Sequence, residues 1–370
     1  MRVLLIPEMY PSEDHPNAGV FMQDQVRALS SFAETTVFNT GPYDRGAYRE
    51  TDMARFVDFH LFDRKWPGPL NAAAYALWER QAFRAAKRIP KPDIIHLHGA
   101  ALRGGLAAKL AKHWEVPLVV TEHTGPWSTI SDRPYILRRV KKVMEAADCL
   151  MPVSRHLADE IAASGIQPKR IEVLGNPVNT ELFSLRSAPL STCKNILCLG
   201  RLDDFKGALR TLRAFAKTAD QLPGYTLTIA GEGEEAADIR SFIETHSLEG
   251  RVEFHEGFFF REQMLEYFHA ASFLVFPSLH ESFGLVPLEA MSTGLPVLLT
   301  DRTGPRDYFD PKVGMQVDPE SEEAIAEGMR TMAGRINKFE PEVIREHVTE
   351  GWGVEGYAER LQEAYKKLIN

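Results

Sequence analysis

Two glutamates, Glu281 and Glu289, stand on either side of a seven-residue spacing in the run His280 to Asp301, His-Glu-Ser-Phe-Gly-Leu-Val-Pro-Leu-Glu-Ala-Met-Ser-Thr-Gly-Leu-Pro-Val-Leu-Leu-Thr-Asp. Ionised carboxylates only accept hydrogen bonds, so a row of hydroxyls, as on a sugar or a ribose, is their natural partner. A second reading has Glu289 complementing a helix dipole while Glu281 is merely solvated. Upstream, Gly200-Arg201-Leu202-Asp203-Asp204-Phe205-Lys206-Gly207 puts two cations in one short loop. With the free N–H groups of a following helix, such a loop suits a diphosphate. Fixed cations there could stabilise a departing phosphate without a metal, because stabilising developing charge is often the largest catalytic term. The alternative is that Arg201 and Lys206 pair with Asp203 and Asp204 on the surface. From these residues alone both readings stand.

Weaker signals sit elsewhere. Asn17-Ala18-Gly19-Val20 closes a long loop before a helical pattern, and Gly19 would let backbone approach a ligand closely. Gly231 and Gly233 in Ile229-Ala230-Gly231-Glu232-Gly233 end a strand pattern, as ligand contacts or as a tight turn. His123, in Thr121-Glu122-His123-Thr124-Gly125, ends another. The chain has no Asp-x-Asp pair, which weakens any mechanism that needs a carboxylate-bound Mg²⁺ or Mn²⁺; no metal and no cofactor are expected. Arg133, Arg138, Arg139, Lys141 and Lys142 interleave with Leu137, Val140, Val143 and Met144. That pattern fits docking on an anionic lipid face or an ordinary surface helix with one buried side, the second being preferred. Phe258, Phe259 and Phe260 are expected to fill core in preference to stacking a base.

The elements that must position these residues alternate between apolar strands and helical patterns, the signature of parallel sheets covered on both faces. Strands are expected at Arg2 to Ile6, Thr35 to Asn39, Asp93 to Leu97, Leu118 to Thr121, Cys149 to Val153 and Arg170 to Leu174. Helices between them fit Phe21 to Ser31, Ala72 to Arg88, Gly104 to His113, Pro134 to Ala146 and Arg155 to Ser164. The scheme repeats with strands at Asn195 to Leu199, Thr226 to Ala230, Val252 to His255, Phe273 to Phe276 and Pro296 to Thr300. Its helices fit Ala208 to Thr218, Glu235 to His246, Arg261 to Ala271, Leu288 to Thr293 and Glu322 to Arg335. Pro287 is expected to open the helix that carries Glu289 in its first turn, and Gly294 to close it. The aperiodic, Pro- and Ser-containing stretch from Asn176 to Ser191 reads as a linker. Domains are therefore expected at 1–180 and 181–354. The amphipathic stretch Tyr357 to Ile369 is expected to form a helix, 355–370, that packs back on the first domain. Two doubly wound halves leave a cleft at the carboxyl ends of their sheets, where ligands bind.

Bulk properties agree with two soluble domains. The 370 residues exceed what one core usually supports, and 44% are hydrophobic and 25% charged. A net charge of -8 argues against general nucleic-acid binding. The run Met1-Arg2-Val3-Leu4-Leu5-Ile6-Pro7 is too short for a secretory core, and no stretch approaches a membrane span, so a cytoplasmic protein is expected. Cys149, Cys193 and Cys198 fit no zinc spacing and no disulfide framework.

Together these residues resemble the retaining nucleotide-sugar glycosyltransferases of the fourth family, over nearly the whole chain. The likeness rests on Gly200-Arg201-Leu202 with Lys206-Gly207, on Gly231-Glu232-Gly233, and on Pro277-Ser278 through Glu281-Ser282-Phe283-Gly284 to Leu288-Glu289-Ala290-Met291 and Gly294-Leu295-Pro296-Val297. The resemblance implies the GT-B fold, an α/β architecture of two Rossmann-like, doubly wound parallel-sheet domains facing a central cleft. It implies an amino-terminal domain for the acceptor and a carboxyl-terminal domain for the donor. By position, Arg201 and Lys206 look like the pair that grips the donor diphosphate and stabilises the leaving group. Glu281 looks like the carboxylate on the transferred sugar, with backbone N–H groups of Phe283, Gly284 and Leu285 nearby, and Glu289 like the ribose ligand. Gly19 and Gly231 fall at the phosphates and the nucleotide, and His123 near the donor sugar. The implied reaction is metal-independent transfer, with retention, from a UDP- or GDP-sugar to a glycan or lipid-linked acceptor, in cell-surface polysaccharide biosynthesis. Peripheral association with the inner face of the membrane goes with such an acceptor. A sugar-nucleotide epimerase of the same fold and a non-catalytic nucleotide-sugar-binding subunit are the rival readings. Three positions depart from the family pattern: Ala18-Gly19 for a Gly-Gly pair, Asn176-Pro177-Val178-Asn179 between the domains, and Gly304-Pro305-Arg306-Asp307. The acceptor side would be built from the loops Tyr10 to Ala18, Gly41 to Trp66 and Gly125 to Pro134.

Overall fold

The computed structural model describes residues 1–11, 18–40, 48–58 and 69–369. They form two compact units, Met1–Pro177 with Val354–Asn370, and Val178–Gly353. The first unit holds β1 (Arg2–Pro7), β2 (Glu34–Asn39), β3 (Tyr48–Glu50), β4 (Arg55–Asp58), β5 (Ile94–His98), β6 (Leu118–Glu122) and β7 (Cys149–Pro152). Its helices are α1 (Phe21–Ser30), α2 (Pro69–Ala86), α3 (Ala100–Trp114), α4 (Ser128–Ser131), α5 (Pro134–Ala146) and α6 (Arg155–Ala163). The second unit holds β8 (Asn195–Leu199), β9 (Thr226–Gly231), β10 (Val252–Glu256), β11 (Phe273–Phe276), β12 (Val297–Thr300) and β13 (Gly314–Val317). Its helices are α7 (Ala208–Thr218), α8 (Ala236–Thr245), α9 (Arg261–Ala270), α10 (Leu285–Ser292), α11 (Glu322–Arg335) and α12 (Pro341–Trp352). The chain then returns to the first unit as α13 (Val354–Ile369).

Among the described residues the first sheet runs β3-β4-β2-β1-β5-β6-β7 and the second β10-β9-β8-β11-β12-β13. All described pairings are parallel except β3 with β4. Strand order reverses between β1 and β5 in one sheet and between β8 and β11 in the other. Crevices for ligands open at such reversals, beyond the carboxyl ends of the strands.

Helices on both faces explain why the strands read as continuous apolar runs. On one face of the first sheet, Val3 and Leu5 of β1 pack with Met22, Val26 and Leu29 of α1 and Tyr357, Leu361 and Tyr365 of α13. The spacing of those α13 residues puts one stripe on the core, so the last helix completes the first unit's covering layer.

Several elements differ from expectation. Arg170 to Leu174 forms no strand: only Ile171 bridges to Leu150, and Ile171 and Val173 stay exposed because no second layer covers them. The short β3, β4 and β13 gave too few residues for a pattern, and α12 starts at Pro341 without a strong apolar period. Helix α10 begins at Leu285, because Gly284 caps it in the left-handed conformation at φ 84°. Pro287 is therefore its third residue, and Glu289 lies in the second turn instead of the first.

Candidate active site

The second unit gathers its charged candidates at the strand reversal. The loop after β8 carries Arg201 and Lys206; the loop after β11 carries Glu281. Backbone ties knit the two together: Leu279 N–H donates to the Phe205 carbonyl at 2.7 Å, and the Ser278 hydroxyl to the same oxygen at 3.0 Å. Gly207 is needed where they cross, since its φ is 78° and a Cβ would stand 2.9 Å from the Pro277 carbonyl oxygen. The outcome is an ion pair between Lys206 Nζ and Glu281 Oε1, two side chains that are mostly buried. Lys206 does not pair with Asp203 or Asp204 through its side chain. Asp203 instead accepts from the Lys206 N–H at 3.0 Å and pairs with Arg201 at 2.9 Å, while Asp204 pairs with Arg210 at 2.6 Å. The surface-pairing alternative thus describes Arg201 and fails for Lys206. Arg201 keeps its side chain 69% exposed, with its guanidinium available to an anion.

Gly231 and Gly233 serve a close approach between loops. A Cβ on Gly231 would lie 1.8 Å from the Gly200 carbonyl oxygen, and one on Gly233 2.3 Å from that of Leu202. Leu202 N–H donates to the Glu232 carbonyl at 2.8 Å, which seats the Arg201 loop against the end of β9. Gly231 thereby shapes the loop that carries the cations.

At α10, Phe283 is buried and Gly284 and Leu285 begin the helix, whose first N–H groups have no intrahelical partner. The buried Tyr308 hydroxyl donates to the Gly284 carbonyl at 2.8 Å; burial and the nearby Glu281 charge hold that phenol well above its ordinary pKa. Gly304 stacks under the same loop, its N–H on the Glu281 carbonyl at 3.0 Å. Glu289 is buried and clamped by Arg261, with Oε1 3.1 Å from one terminal nitrogen and 3.2 Å from Nε. Arg261 in turn lies over the Phe183 ring at 5.0 Å. Nothing in the sequence marked Arg261 as a partner of Glu289, because the two are 28 residues apart and meet only in the fold. Phe258 and Phe260 are exposed, edge to face at 5.4 Å, and do not fill the core: the loop between β10 and α9 lifts them off the sheet.

In the first unit, the strand-end candidates also cluster. Gly19 sits at φ 69° before α1, with room for no Cβ against the Met9 carbonyl oxygen 2.6 Å away. The His123 ring lies nearly parallel to that of His98, centroids 5.1 Å apart, and meets Phe21 of α1 at 4.8 Å. His123 Nε2 shares a hydrogen bond of 2.9 Å with His98 Nδ1. His96, two residues along β5, bonds to the Thr121 hydroxyl at 2.7 Å and the Tyr365 hydroxyl at 2.5 Å. Burial drives His96 and His123 down to about 3, and drives His98 well below its ordinary value, so the three rings are neutral at pH 7. The period-two pair His96 and His98 on one face of β5 could have announced this cluster.

On the opposite face, Glu122 caps α3 by accepting from Ala100 N–H at 3.1 Å, and also takes the His123 and Thr124 N–H groups. Beside it, burial and the Glu122 charge push the Glu8 carboxyl up to about 7. Arg103 reaches the Thr40 carbonyl at 2.8 Å and lies over Trp78 at 4.7 Å. Sequence reasoning missed Glu8, Glu122 and Arg103, which only the strand order brings together. Residues 12–17, 41–47 and 59–68, within the loops expected to build the acceptor side, lie outside the described residues. Helix α5 buries Val140, Val143 and Met144 and exposes Tyr135, Arg138 and Lys142, with Arg133 exposed at its N-cap, the ordinary amphipathic arrangement. Among the described residues no helix is long and apolar enough to cross a membrane. Cys149 and Cys198 are free and buried, their thiols raised to about 12, chiefly by burial.

Comparison with known proteins bears on both units. Residues 186–335 match the family model described as glycosyl transferases group 1, and residues 18–182 that of glycosyltransferase family 4. The putative teichuronic acid biosynthesis glycosyltransferase TuaC of Bacillus subtilis is 26% identical over 93% of this chain and 90% of its own. Among solved structures, sucrose-phosphate synthase from Thermosynechococcus elongatus superposes with a TM-score of 0.80 at 20% identity, over 100% of this chain and 99% of its own. Anabaena HepE in complex with UDP-glucose does so with a TM-score of 0.72 at 17% identity, over 100% of both chains.

Proposed function

The chain is a nucleotide-sugar glycosyltransferase of the GT-B fold and the family 4 type, and from that premise we propose that its second unit binds the donor through Arg201, Lys206, Glu281 and Glu289. The observation that carries this reading is the Lys206–Glu281 ion pair at the strand reversal of the second sheet. It sets a lysine and a glutamate side by side where a doubly wound sheet binds its ligand. Arg201 and Lys206 take the diphosphate, and the charge that grows on the departing phosphate falls on them. Glu281 accepts from hydroxyls of the transferred sugar. Glu289, aligned by Arg261, accepts from the ribose. The N–H groups at Phe283, Gly284 and Leu285 face the diphosphate as a helix start does.

In this proposal the transfer retains the anomeric configuration and proceeds without a metal. The acceptor hydroxyl attacks from the face the nucleotide leaves, its proton passing to the departing phosphate oxygen while the sugar–oxygen bond to the phosphate breaks. Gly19 and His123 are the first unit's contacts to phosphate and donor sugar. The donor is a UDP- or GDP-sugar, in keeping with the UDP-glucose held by Anabaena HepE. The acceptor is a growing cell-surface polysaccharide or its lipid-linked precursor, as teichuronic acid biosynthesis by the Bacillus relative suggests. Work on such an acceptor would be done in the cytoplasm at the inner face of the membrane, with Arg133, just before α5, and Arg138 and Lys142 of α5 toward anionic lipid.

The test is a thermal-shift screen against UDP- and GDP-sugars, followed by proton NMR of the product's anomeric signal. The true donor and its nucleotide should raise the midpoint by mass action, and the product should keep the donor's configuration. Inversion would overturn the mechanism, and turnover without any acceptor would point to an epimerase.

A further inference from the structure

The His98 ring is wholly buried at the end of β5, and its two nitrogens have unequal fates. Nδ1 lies 2.9 Å from His123 Nε2, whereas Nε2 is buried with no hydrogen-bond partner. A neutral imidazole carries one proton, and the nitrogen that holds it is decided by what the other nitrogen meets. A proton on His98 Nε2 would leave an N–H orphaned in the interior, the rarer and costlier defect. A proton on Nδ1 leaves only a bare lone pair there. His98 therefore donates from Nδ1 to His123 Nε2, and His123 must carry its own proton on Nδ1. No hydrogen bond from His123 Nδ1 to another described residue is seen, and the ring is only half-buried.

We infer that His98 is a positioning residue that fixes the tautomer of His123, so that His123 presents an Nδ1–H donor to an oxygen of the bound sugar. The inference rests on the reading of His123 as a contact to the donor sugar and adds the direction of the hydrogen bond: the ligand atom is an acceptor, a hydroxyl oxygen or ring oxygen. The rest of the cluster supports a fixed geometry. His96 is tied off separately by Thr121 and Tyr365, and its ring lies 4.2 Å from that of His98, so it walls the buried pair without competing for its hydrogen bond. Phe21 packs against the His123 ring at 4.8 Å.

The experiment is a long-range ¹H–¹⁵N correlation spectrum of protein labelled at the histidine ring nitrogens, at pH 7.5 and without ligand, beside steady-state kinetics with the donor found in the thermal screen. Wild type should show His123 protonated on Nδ1 and bare on Nε2. His98→Asn, whose amide N–H can stand where the imidazole N–H stood, should keep that signature and a kcat within about threefold of wild type. His98→Phe should lose the Nδ1–H signature and lower kcat about tenfold or more, with a smaller change in donor KM, as losses of orienting partners do. A His123 protonated on Nε2 in the wild type would overturn the inference. So would a slow His98→Phe enzyme with an unchanged tautomer, which would make His98 merely structural. If His98→Phe does not fold, the wild-type spectrum and His98→Asn still decide. His123→Ala at wild-type turnover would overturn the functional half, and it would leave the donor residues of the second unit to be judged by nucleotide binding.

Discussion

Replacing Glu289 by Gln isolates the charge that the account assigns to ribose recognition. Removing the side chain outright would not, because Arg261 holds Glu289 Oε1 at 3.1 and 3.2 Å and has only 14% of its own side chain exposed. Truncating one partner of such a pair strands the other, which costs about 3–5 kcal/mol and would confuse stability with binding. Glutamine keeps an acceptor for Arg261 and the same volume. What it loses is the charge assistance to the ribose hydroxyls, about 1–1.5 kcal/mol, the difference between a charged and a neutral hydrogen bond. At 1.36 kcal/mol per decade this is roughly 5- to 13-fold in Kd. The assay is calorimetric titration of the donor's nucleoside diphosphate and its 2′- and 3′-deoxy forms into both proteins. Wild type should lose affinity when a hydroxyl is removed, and E289Q should be nearly indifferent to one of the two removals. An unchanged Kd in E289Q, or a variant that still discriminates ribose from deoxyribose as wild type does, would refute the assignment.

Three further outcomes follow from the same geometry. Gly284→Ala should destabilise the protein by roughly 2–3 kcal/mol in urea unfolding, since a Cβ at φ 84° is strained and would lie 2.9 Å from the Tyr308 hydroxyl; a loss under about 0.5 kcal/mol would contradict that packing. The Glu8 carboxyl stands at about 7 in the fold against an ordinary 4.5, so the folded state holds its proton longer and loses stability as pH rises through that window. Glu8→Gln, which mimics the protonated acid, should unfold at a higher temperature than wild type at pH 8 and near the wild-type temperature at pH 4.5; an equal difference at both would sink the argument. The histidine cluster acts oppositely. His96 and His123 fall to about 3, so the unfolded chain takes up protons first as pH drops below 6.5 and stability declines from there towards 3, a slope that His96→Gln should reduce in pH-dependent denaturation.

The alternation of apolar runs and helical patterns carried the α/β class, because strands buried on both faces need little besides length and apolarity to be seen. A short strand escaped, β13 with four residues, while the apolar stretch at Ile171 and Val173 reads as a strand although no layer buries it and none forms. The candidate residues of the second unit were legible as types at fixed spacings, Arg201 with Lys206 and Glu281 with Glu289. Their partners were not, because pairing depends on contacts distant in sequence: Lys206 meets Glu281 across 75 residues, and Glu289 meets Arg261. Helix α10 begins earlier than expected because a glycine with positive φ starts it, a backbone property that residue type permits without declaring. In the first unit His123 alone of the histidine cluster was marked in the sequence, and the register of β5 with β6 is what brings His96 and His98 beside it.

The central claim is that Lys206 stabilises the phosphate as it leaves the sugar, and the rate of sugar transfer by Lys206→Ala at saturating donor tests it most directly. Loss of a preorganised charge at the leaving group should lower kcat by ~10²-fold or more while the folded protein still binds nucleotide. A variant that transfers sugar at the wild-type rate would contradict the account.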